Sequence, residues 1–167
     1  EYSAGVNWIK NINHIIPSIS LSVDGFYNRV SNKIVAVPSK NLFVWSMQNI
    51  GRVDIRGLET NLETAFSLNS KMKLTATGNY TYQRAMDKTD KYNMPDKVTY
   101  NHQIPYTPRH SGSARLGFET PWINLSYTVM TSGERFSNQY NAPEYRLDGY
   151  TEHSASAWRT FKLKRFS

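Results

Sequence analysis

The chain has 167 residues, a formal net charge of +7, 13% aromatic and 20% charged residues, and no Cys. The absence of Cys excludes a disulfide scaffold, a Cys-based zinc site and a thiol nucleophile, and the scattering of Lys and Arg argues against a nucleic-acid partner. No stretch approaches the roughly 18 consecutive apolar residues that a transmembrane helix needs.

The predicted elements are strands in which apolar and polar residues alternate, a pattern typical of a sheet with two different faces. In chain order, the alternation covers residues 18–24, 58–66, 72–83, 113–119 and 123–129. With the intervening sequence, the pattern predicts seven strands, the first from Tyr2 to Ile9, and an eighth that begins near Phe161. Because only every second residue of a barrel strand must be apolar, a polar mean hydropathy of −0.59 is compatible with an antiparallel transmembrane β-barrel.

The connections between the strands are predicted to alternate in length. Short connections lie near residues 10–17, 67–71, 120–122 and 159–162, and long ones near 31–51, 86–108 and 133–147. Outer-membrane barrels have short periplasmic turns and longer extracellular loops, so the first strand is expected to run towards the periplasm. Since lipid requires a barrel to close, strands that start at the first residues and continue to the last predict a section of a larger barrel.

Aromatic residues are predicted to form girdles at both ends of the strands, where they anchor a barrel at the two membrane interfaces. Cross-strand packing is the alternative explanation for any single ring. Near the short turns these residues are Trp8, Phe66, Phe118 and Trp122, and near the opposite ends they are Phe26, Tyr27, Tyr80, Tyr82 and Tyr150.

Residues 48–59, Gln-Asn-Ile-Gly-Arg-Val-Asp-Ile-Arg-Gly-Leu-Glu, resemble the recurrent strand opening of TonB-dependent outer-membrane receptors, with Asn49, Gly57 and Glu59 at the expected positions. Residues 104–110 are similar to the Pro-rich loop end that leads into a following strand, and residues 147–154 to the entry of one of the last strands. The composition and loops look closest to the vitamin B12 or iron-complex receptors of Bacteroidetes-type bacteria. The resemblance implies a barrel of about twenty-two strands around an N-terminal plug.

The resemblance also implies a function, which is active transport of a scarce, bulky nutrient across the outer membrane of a Gram-negative bacterium. Cobalamin, a siderophore or haem would bind extracellular loops and plug, and the TonB complex would act through the plug. Residues 1–167 would be part of one barrel domain that lacks the plug. The implied partners are outer-membrane lipid, the nutrient, the TonB complex and a surface lipoprotein, and no cofactor is implied.

The apolar parity changes at Gly57, because Val53 and Ile55 are odd-numbered whereas Leu58 and Leu62 are even-numbered. A bulge or a close backbone approach at Gly57 would explain the change, and so would a strand that emerges above the membrane. Charged side chains in lipid are costly. The charged residues that alternate with the apolar residues of these strands are therefore predicted to face the lumen. They are Glu59, Glu63, Lys73 and Arg115.

No catalytic motif is present, which predicts a protein that is not an enzyme. His14, His102, His110 and His153 form no metal-binding motif. Glu59 and Glu63 would lie about 13 Å apart on one strand, too far for the carboxylate pair of a glycosidase. Neither a nucleophile elbow nor a phosphate-binding loop occurs.

The best candidates for ligand binding are aromatic, Met and His side chains in the long connections, which suit a bulky ligand with apolar and polar surface. Packing of these loops on one another or on the barrel rim is the alternative. The candidates are Phe43, Trp45, Met47, Tyr92, Tyr100, His102, Tyr106, Phe136, Tyr140 and Tyr145.

Two other kinds of protein remain possible from the pattern alone. One is a complete small barrel of about eight strands with a structural or adhesion role. The other is a soluble carbohydrate-binding β-sandwich, in which the apolar faces of two sheets would meet as a single core.

Overall fold

The structure is a computed structural model that describes residues 1–38, 44–89 and 98–161. Nine strands and one 3-10 turn, Pro143–Tyr145, make up its regular structure in these ranges. None of the described residues forms a helix that is long and apolar enough to cross a membrane. The strands are β1 Tyr2–Lys10, β2 Ile19–Pro38, β3 Trp45–Asn69, β4 Met72–Asp87, β5 His110–Glu119, β6 Asn124–Ser132, β7 Arg135–Phe136, β8 Arg146–Leu147 and β9 Tyr150–Trp158.

Seven strands form one antiparallel sheet in the order β1-β2-β3-β4-β5-β6-β9, in which each strand pairs with the next long strand of the chain. The two-residue strands β7 and β8 pair with each other inside the connection between β6 and β9. The prediction of an all-β antiparallel fold with seven strands is thus confirmed. The predicted eighth strand lies outside the described residues apart from Phe161, which is not in a strand.

The two faces of the sheet follow from the strand register, because directly opposed residues of antiparallel strands lie on the same side. We call the side that carries Leu58, Leu62 and Phe66 of β3 the apolar face, and the side that carries Glu59 and Glu63 the polar face. One complete row of the apolar face consists of Trp8, Leu21, Leu62, Gly78, Ala114, Val129 and His153.

The apolar face is not covered by a second sheet in the part of the chain that the structure describes. Leu62 and Leu116 are exposed by 44% and 51%, although they lie in the middle of the sheet. A β-sandwich would bury these side chains, so the structure gives no support to the sandwich alternative. Among the described residues, β1 pairs only with β2 and β9 only with β6, whereas a closed small barrel would join its first and last strands.

Six of the nine residues predicted to form girdles lie on the apolar face, and three do not. Trp8, Phe66 and Phe118 lie near the short turns, which we call the turn end of the sheet, and Tyr27, Tyr80 and Tyr82 lie towards the opposite end, which we call the rim end. Trp122 is exposed in the turn between β5 and β6. The assignment of Phe26 and Tyr150 to this girdle was wrong, because the register places both side chains on the polar face.

The prediction of a long loop over residues 31–51 was wrong for most of that stretch. β2 continues to Pro38 and β3 begins at Trp45, and their pairing extends over residues 31–38 and 45–52. Met86 and Asp87, predicted to be loop residues, likewise belong to β4. Apart from the opposed residues Asn32 and Gly51, which the pairing leaves out, backbone pairing with the neighbouring strand satisfies these groups, which a loop would leave to water.

The register passes through Gly57 without a shift, so the suggested bulge at this position was wrong. The only register shift between β3 and β4 lies between Ser67 and Asn69. The suggested close approach is confirmed, because a Cβ atom on Gly57 would overlap with the carbonyl oxygen of Tyr82 and would lie 2.6 Å from Cζ of Phe26.

The parity change at Gly57 has its explanation in the loop that follows β4. Beyond Gly57, the odd-numbered Val53 and Ile55 of β3 lie on the side of the polar face, where Val53, Ala85 and Ile104 form a small buried core. Ile104 belongs to the connection between β4 and β5 and donates its backbone N–H to the carbonyl of Ala85 over 3.0 Å. Val53 and Ile55 therefore lie on the opposite side of β3 from Leu58 and Leu62. They do so because the connection between β4 and β5 covers that side and packs against them.

Candidate functional site

The predicted binding residues that the structure describes lie at the rim end of the sheet, where two connections contact each other. We call residues 98–109 and 133–149 the loop rim. Gln103 donates its backbone N–H to Oδ1 of Asn141 over 2.6 Å, and Nδ2 of Asn141 donates to the carbonyl of Gln103 over 3.0 Å. In addition, Nδ1 of His102 lies 3.1 Å from the carbonyl oxygen of Gln139. The Asn141 side-chain amide thus forms with the backbone of Gln103 the two hydrogen bonds that a neighbouring strand residue would form, and so joins the two connections.

Tyr106 has a backbone conformation that places its ring in a defined position. Its φ angle of 56° lies in the left-handed region, which is uncommon for an aromatic residue. Its backbone N–H donates to the carbonyl of Phe136 over 2.8 Å, which holds the strained residue in place. The ring of Tyr106 lies 6.0 Å from that of Trp45, centroid to centroid, with the planes tilted by 39°.

Trp45 and Tyr106 form an exposed aromatic pair at the tip of the rim end. Trp45 is 56% exposed and Tyr106 is 37% exposed, and Met47, exposed as well, follows two residues along β3. Trp45 and Met47 share the odd parity of Val53, so both belong to the side of the polar face. A flat or ring-shaped ligand could stack on such a pair.

Among the described residues, no ring contact joins the remaining binding candidates to one another. Tyr100, Tyr140 and Tyr145 are exposed on the loop rim, while His102 and Phe136 are half-buried and hold the connections in place. Phe43 and Tyr92 lie outside the described residues.

The four residues predicted to face the lumen share the polar face, as their parity indicates. Glu63 of β3, Thr77 of β4 and Arg115 of β5 occupy one cross-strand row, and Glu59 and Lys73 lie on the same side. No salt bridge joins any of the four to another within the described ranges. Together they give the polar face a water-compatible surface with both signs of charge.

Comparison with known proteins decides which family this sheet represents. The family described as TonB dependent receptor-like, beta-barrel matches residues 1–167. The chain belongs to this family. TonB-dependent receptors of this kind are transporters of the Gram-negative outer membrane rather than enzymes. No curated protein matches the chain closely enough to add a substrate.

The receptor sheet also carries a charged network that the sequence analysis missed. The Asp54 carboxylate accepts hydrogen bonds from Nε and an Nη atom of Arg52 at 3.1 and 3.0 Å, from Nε of Arg29 at 3.3 Å and from Oη of Tyr27 at 3.0 Å. The hydrogen bonds from Arg52 are the main cause that lowers the pKa of Asp54 below its ordinary value. The alternation of Arg52, Asp54 and Arg56 along β3 is the feature of the sequence that could have indicated this network. The contribution of Tyr27 and Arg29 could not be predicted in this way, because only the β2–β3 register brings them next to Asp54.

Within the described ranges, the four histidines belong to no cluster of metal-binding side chains. No group of three or more His, Cys, Asp or Glu side chains suited to a metal ion occurs among the described residues. His110 and His153 instead lie on the apolar face, where the Nδ1 atom of each is 2.7 Å from a tyrosine hydroxyl, that of Tyr80 and Tyr127 respectively. These contacts satisfy polar groups on a face that is otherwise largely apolar.

Proposed function

We propose that this chain supplies part of the barrel wall and part of the ligand-binding rim of an outer-membrane receptor for a scarce, bulky nutrient. The nutrient is cobalamin, a siderophore or haem, and the receptor is of the Bacteroidetes type. The observation that carries the proposal is the sheet with two unlike faces, of which the polar one continues into the exposed pair Trp45 and Tyr106.

The wall function is supported by the dimensions of the apolar face. From Phe66 to Leu58, β3 offers its apolar side chains over nine residues, which matches the 9 to 11 residues of a tilted membrane-spanning strand. Lipid contacts this face in the proposal. Because β1 and β9 each have one paired edge among the described residues, further strands complete the barrel.

The polar face then borders the lumen, where Glu59, Glu63, Lys73 and Arg115 contact water or the plug. Residues 1–167 form part of one barrel domain, and the plug is a separate domain through which the TonB complex acts. A surface lipoprotein is a further partner, for which the exposed Tyr140 and Tyr145 of the loop rim offer contact area.

The binding function is tested on the full-length receptor in detergent, with cyanocobalamin, haemin and a ferric siderophore as probes. We expect one of the three to bind, and Trp45→Ala to weaken that binding about tenfold or more, because aromatic side chains in contact regions carry much of the binding energy. Isothermal titration calorimetry measures the affinities, because its signal does not depend on the fluorescence of the tryptophans that are replaced.

Trp122→Ala is the matched control, since Trp122 is a similarly exposed tryptophan at the turn end of the same sheet. Its affinity for the probe should equal that of the wild type. If none of the three probes binds, or if Trp45→Ala and Trp122→Ala behave alike, the proposed nutrient site at the rim is wrong.

A further inference from the structure

A basic cleft opens on the apolar side of the sheet just beyond the band of apolar side chains. Its volume is about 130 Å³, and its polar lining comes from Tyr27, Asp54, Arg56, Arg84, Lys88 and Asn101. In cross-strand register, Tyr27, Arg56 and Arg84 form one row across β2, β3 and β4. This cleft lies on the opposite side of the sheet from the pair Trp45 and Tyr106, and the proposed nutrient site does not use it.

The charge of the cleft is strongly positive. Arg29, Arg52, Arg56, Arg84 and Lys88 surround a single carboxylate, that of Asp54. Arg29 and Arg52 are already paired with Asp54, so its charge is compensated before any ligand enters. An anion in the cleft would therefore meet a surplus of cations.

Three of these cations, Arg56, Arg84 and Lys88, form no salt bridge with any of the described residues. In the same part of the chain, Nε of Arg84 is buried without a hydrogen-bond partner. A buried donor without a partner is costly, and the cost is greater for a charged group. Arg84 therefore presents an unsatisfied requirement for an acceptor in this cleft. Lys88 is held at the edge of the cleft by Oδ1 of Asn101 at 2.8 Å and by the ring of Tyr100 at 5.3 Å.

The position of the cleft identifies the kind of anion. The row of Arg56 and Arg84 lies two residues beyond the row of Leu58 and Tyr82, which ends the apolar band. Two residues correspond to about 7 Å along a strand, which is roughly the thickness of the polar headgroup layer that borders the hydrocarbon core of a membrane. A lipid whose acyl chains contact Leu58 and Leu62 would place its headgroup at these arginines.

We propose that this cleft binds the phosphate group of an outer-leaflet lipid. Guanidinium groups form bidentate, charge-assisted hydrogen bonds with phosphate oxygens, and Arg56 and Arg84 provide two neighbouring guanidinium groups. The proposal rests on the membrane orientation of the apolar face given above, but not on the nutrient site.

The test uses the full-length receptor in detergent and native mass spectrometry, with three separate probes: diphosphoryl lipid A, the same lipid without phosphate, and inorganic phosphate. We expect the wild type to retain diphosphoryl lipid A and neither of the other probes. The double variant R56Q/R84Q should bind diphosphoryl lipid A at least about tenfold more weakly, because charge-assisted hydrogen bonds are lost.

The double variant K71Q/R159Q is the matched control, because it removes two exposed positive charges from the turn end of the sheet. It should retain diphosphoryl lipid A as the wild type does. The variant R56K/R84K keeps both charges but loses the bidentate geometry, and its affinity should fall between those of the wild type and R56Q/R84Q. A heat-dependent shift on SDS gels shows for each variant whether the barrel has folded.

Three outcomes would overturn the proposal. Equal retention of the dephosphorylated lipid would mean that only the acyl chains bind. Binding of inorganic phosphate as tight as that of the lipid would make the cleft a site for a free anion. Equal losses in R56Q/R84Q and K71Q/R159Q would place the lipid elsewhere. In each case, nutrient binding and the heat-dependent shift would still test the proposed function separately.

Discussion

Gly57 and Gly78 are two strand glycines of the same sheet with different surroundings. A Cβ atom on Gly57 would lie 2.6 Å from the ring of Phe26 and would also overlap with the backbone of Tyr82. The ring covers the glycine from the adjacent strand, and so compensates for the side chain that Gly57 lacks. At Gly78, an added Cβ would lie 3.8 Å from the carbonyl oxygen of Ser113, an ordinary van der Waals distance.

The substitution Gly57→Ala is therefore expected to destabilise the barrel by about 1–3 kcal/mol, the usual cost of overpacking. Gly78→Ala should be neutral or slightly stabilising, because alanine loses less conformational entropy than glycine in a strand. Denaturant unfolding of the receptor in lipid vesicles measures both variants. Equal stabilities of the two would show that the close approach at Gly57 is not rigid.

Beyond the apolar band, the strands β2, β3 and β4 continue as a strand extension that has its own stabilising contacts. On one side, Val53 packs with Ala85 and Ile104, and on the other, Asp54 accepts hydrogen bonds from arginines of two strands. Although Asp54 and Arg29 are 25 residues apart in the chain, they are direct cross-strand neighbours. The network thus couples β2 to β3 beyond the apolar band.

The pH dependence of this extension follows from the lowered pKa of Asp54. A carboxylate whose pKa in the folded protein lies below the ordinary value of 3.8 stabilises the fold at higher pH, and this contribution is lost as the pH falls through the lowered pKa. Asp54→Asn should therefore lower the melting temperature at pH 7, and the difference from the wild type should shrink below pH about 3.8.

The melting temperatures of the wild type and Asp54→Asn are compared between pH 7 and pH 3. Each is measured as the temperature at which the folded form is no longer seen on SDS gels. Glu144→Gln serves as the control, since it removes a carboxylate of the 3-10 turn without touching the network. A stability difference between Asp54→Asn and the wild type that stays constant over the whole pH range would refute the assigned role of Asp54.

The whole sheet is arranged so that one side suits lipid and the other suits water. Two adjacent residues of β3 allow the two sides to be compared, because Leu62 lies in the middle of the apolar face and Asn61 lies on the polar face. Leu62 is 44% exposed in the sheet, a degree of exposure that is favourable for a leucine only in an apolar environment.

Leu62→Arg is expected to destabilise the barrel in a lipid bilayer by about 2–4 kcal/mol, the cost of arginine near the middle of the membrane on a lipid-facing side. Asn61→Arg introduces the same side chain one residue away and should cost far less, although it removes a hydrogen bond of 3.3 Å to Ser22. Denaturant unfolding in vesicles compares them. Similar costs for both would contradict the assignment of the apolar face to lipid.

The predictions made from sequence were most successful where they depended on neighbours along the chain. A period of two assigns each side chain to one of two faces, and this property identified the seven strands and the common face of Glu59, Glu63, Lys73 and Arg115. The same reasoning failed over residues 31–38 and 45–51, because the strands there extend past the apolar band and their alternation is no longer regular.

The sequence by itself determined the antiparallel strands, their two faces and the residue types available at the rim. Only the tertiary structure decided that Ile104 covers Val53, that Trp45 meets Tyr106 and that Asn141 joins two connections. It also decided that Arg56 and Arg84 share a cleft with Lys88. The physical reason is that alternation is a local property of a strand, whereas these contacts join residues that only strand register and loop packing bring together.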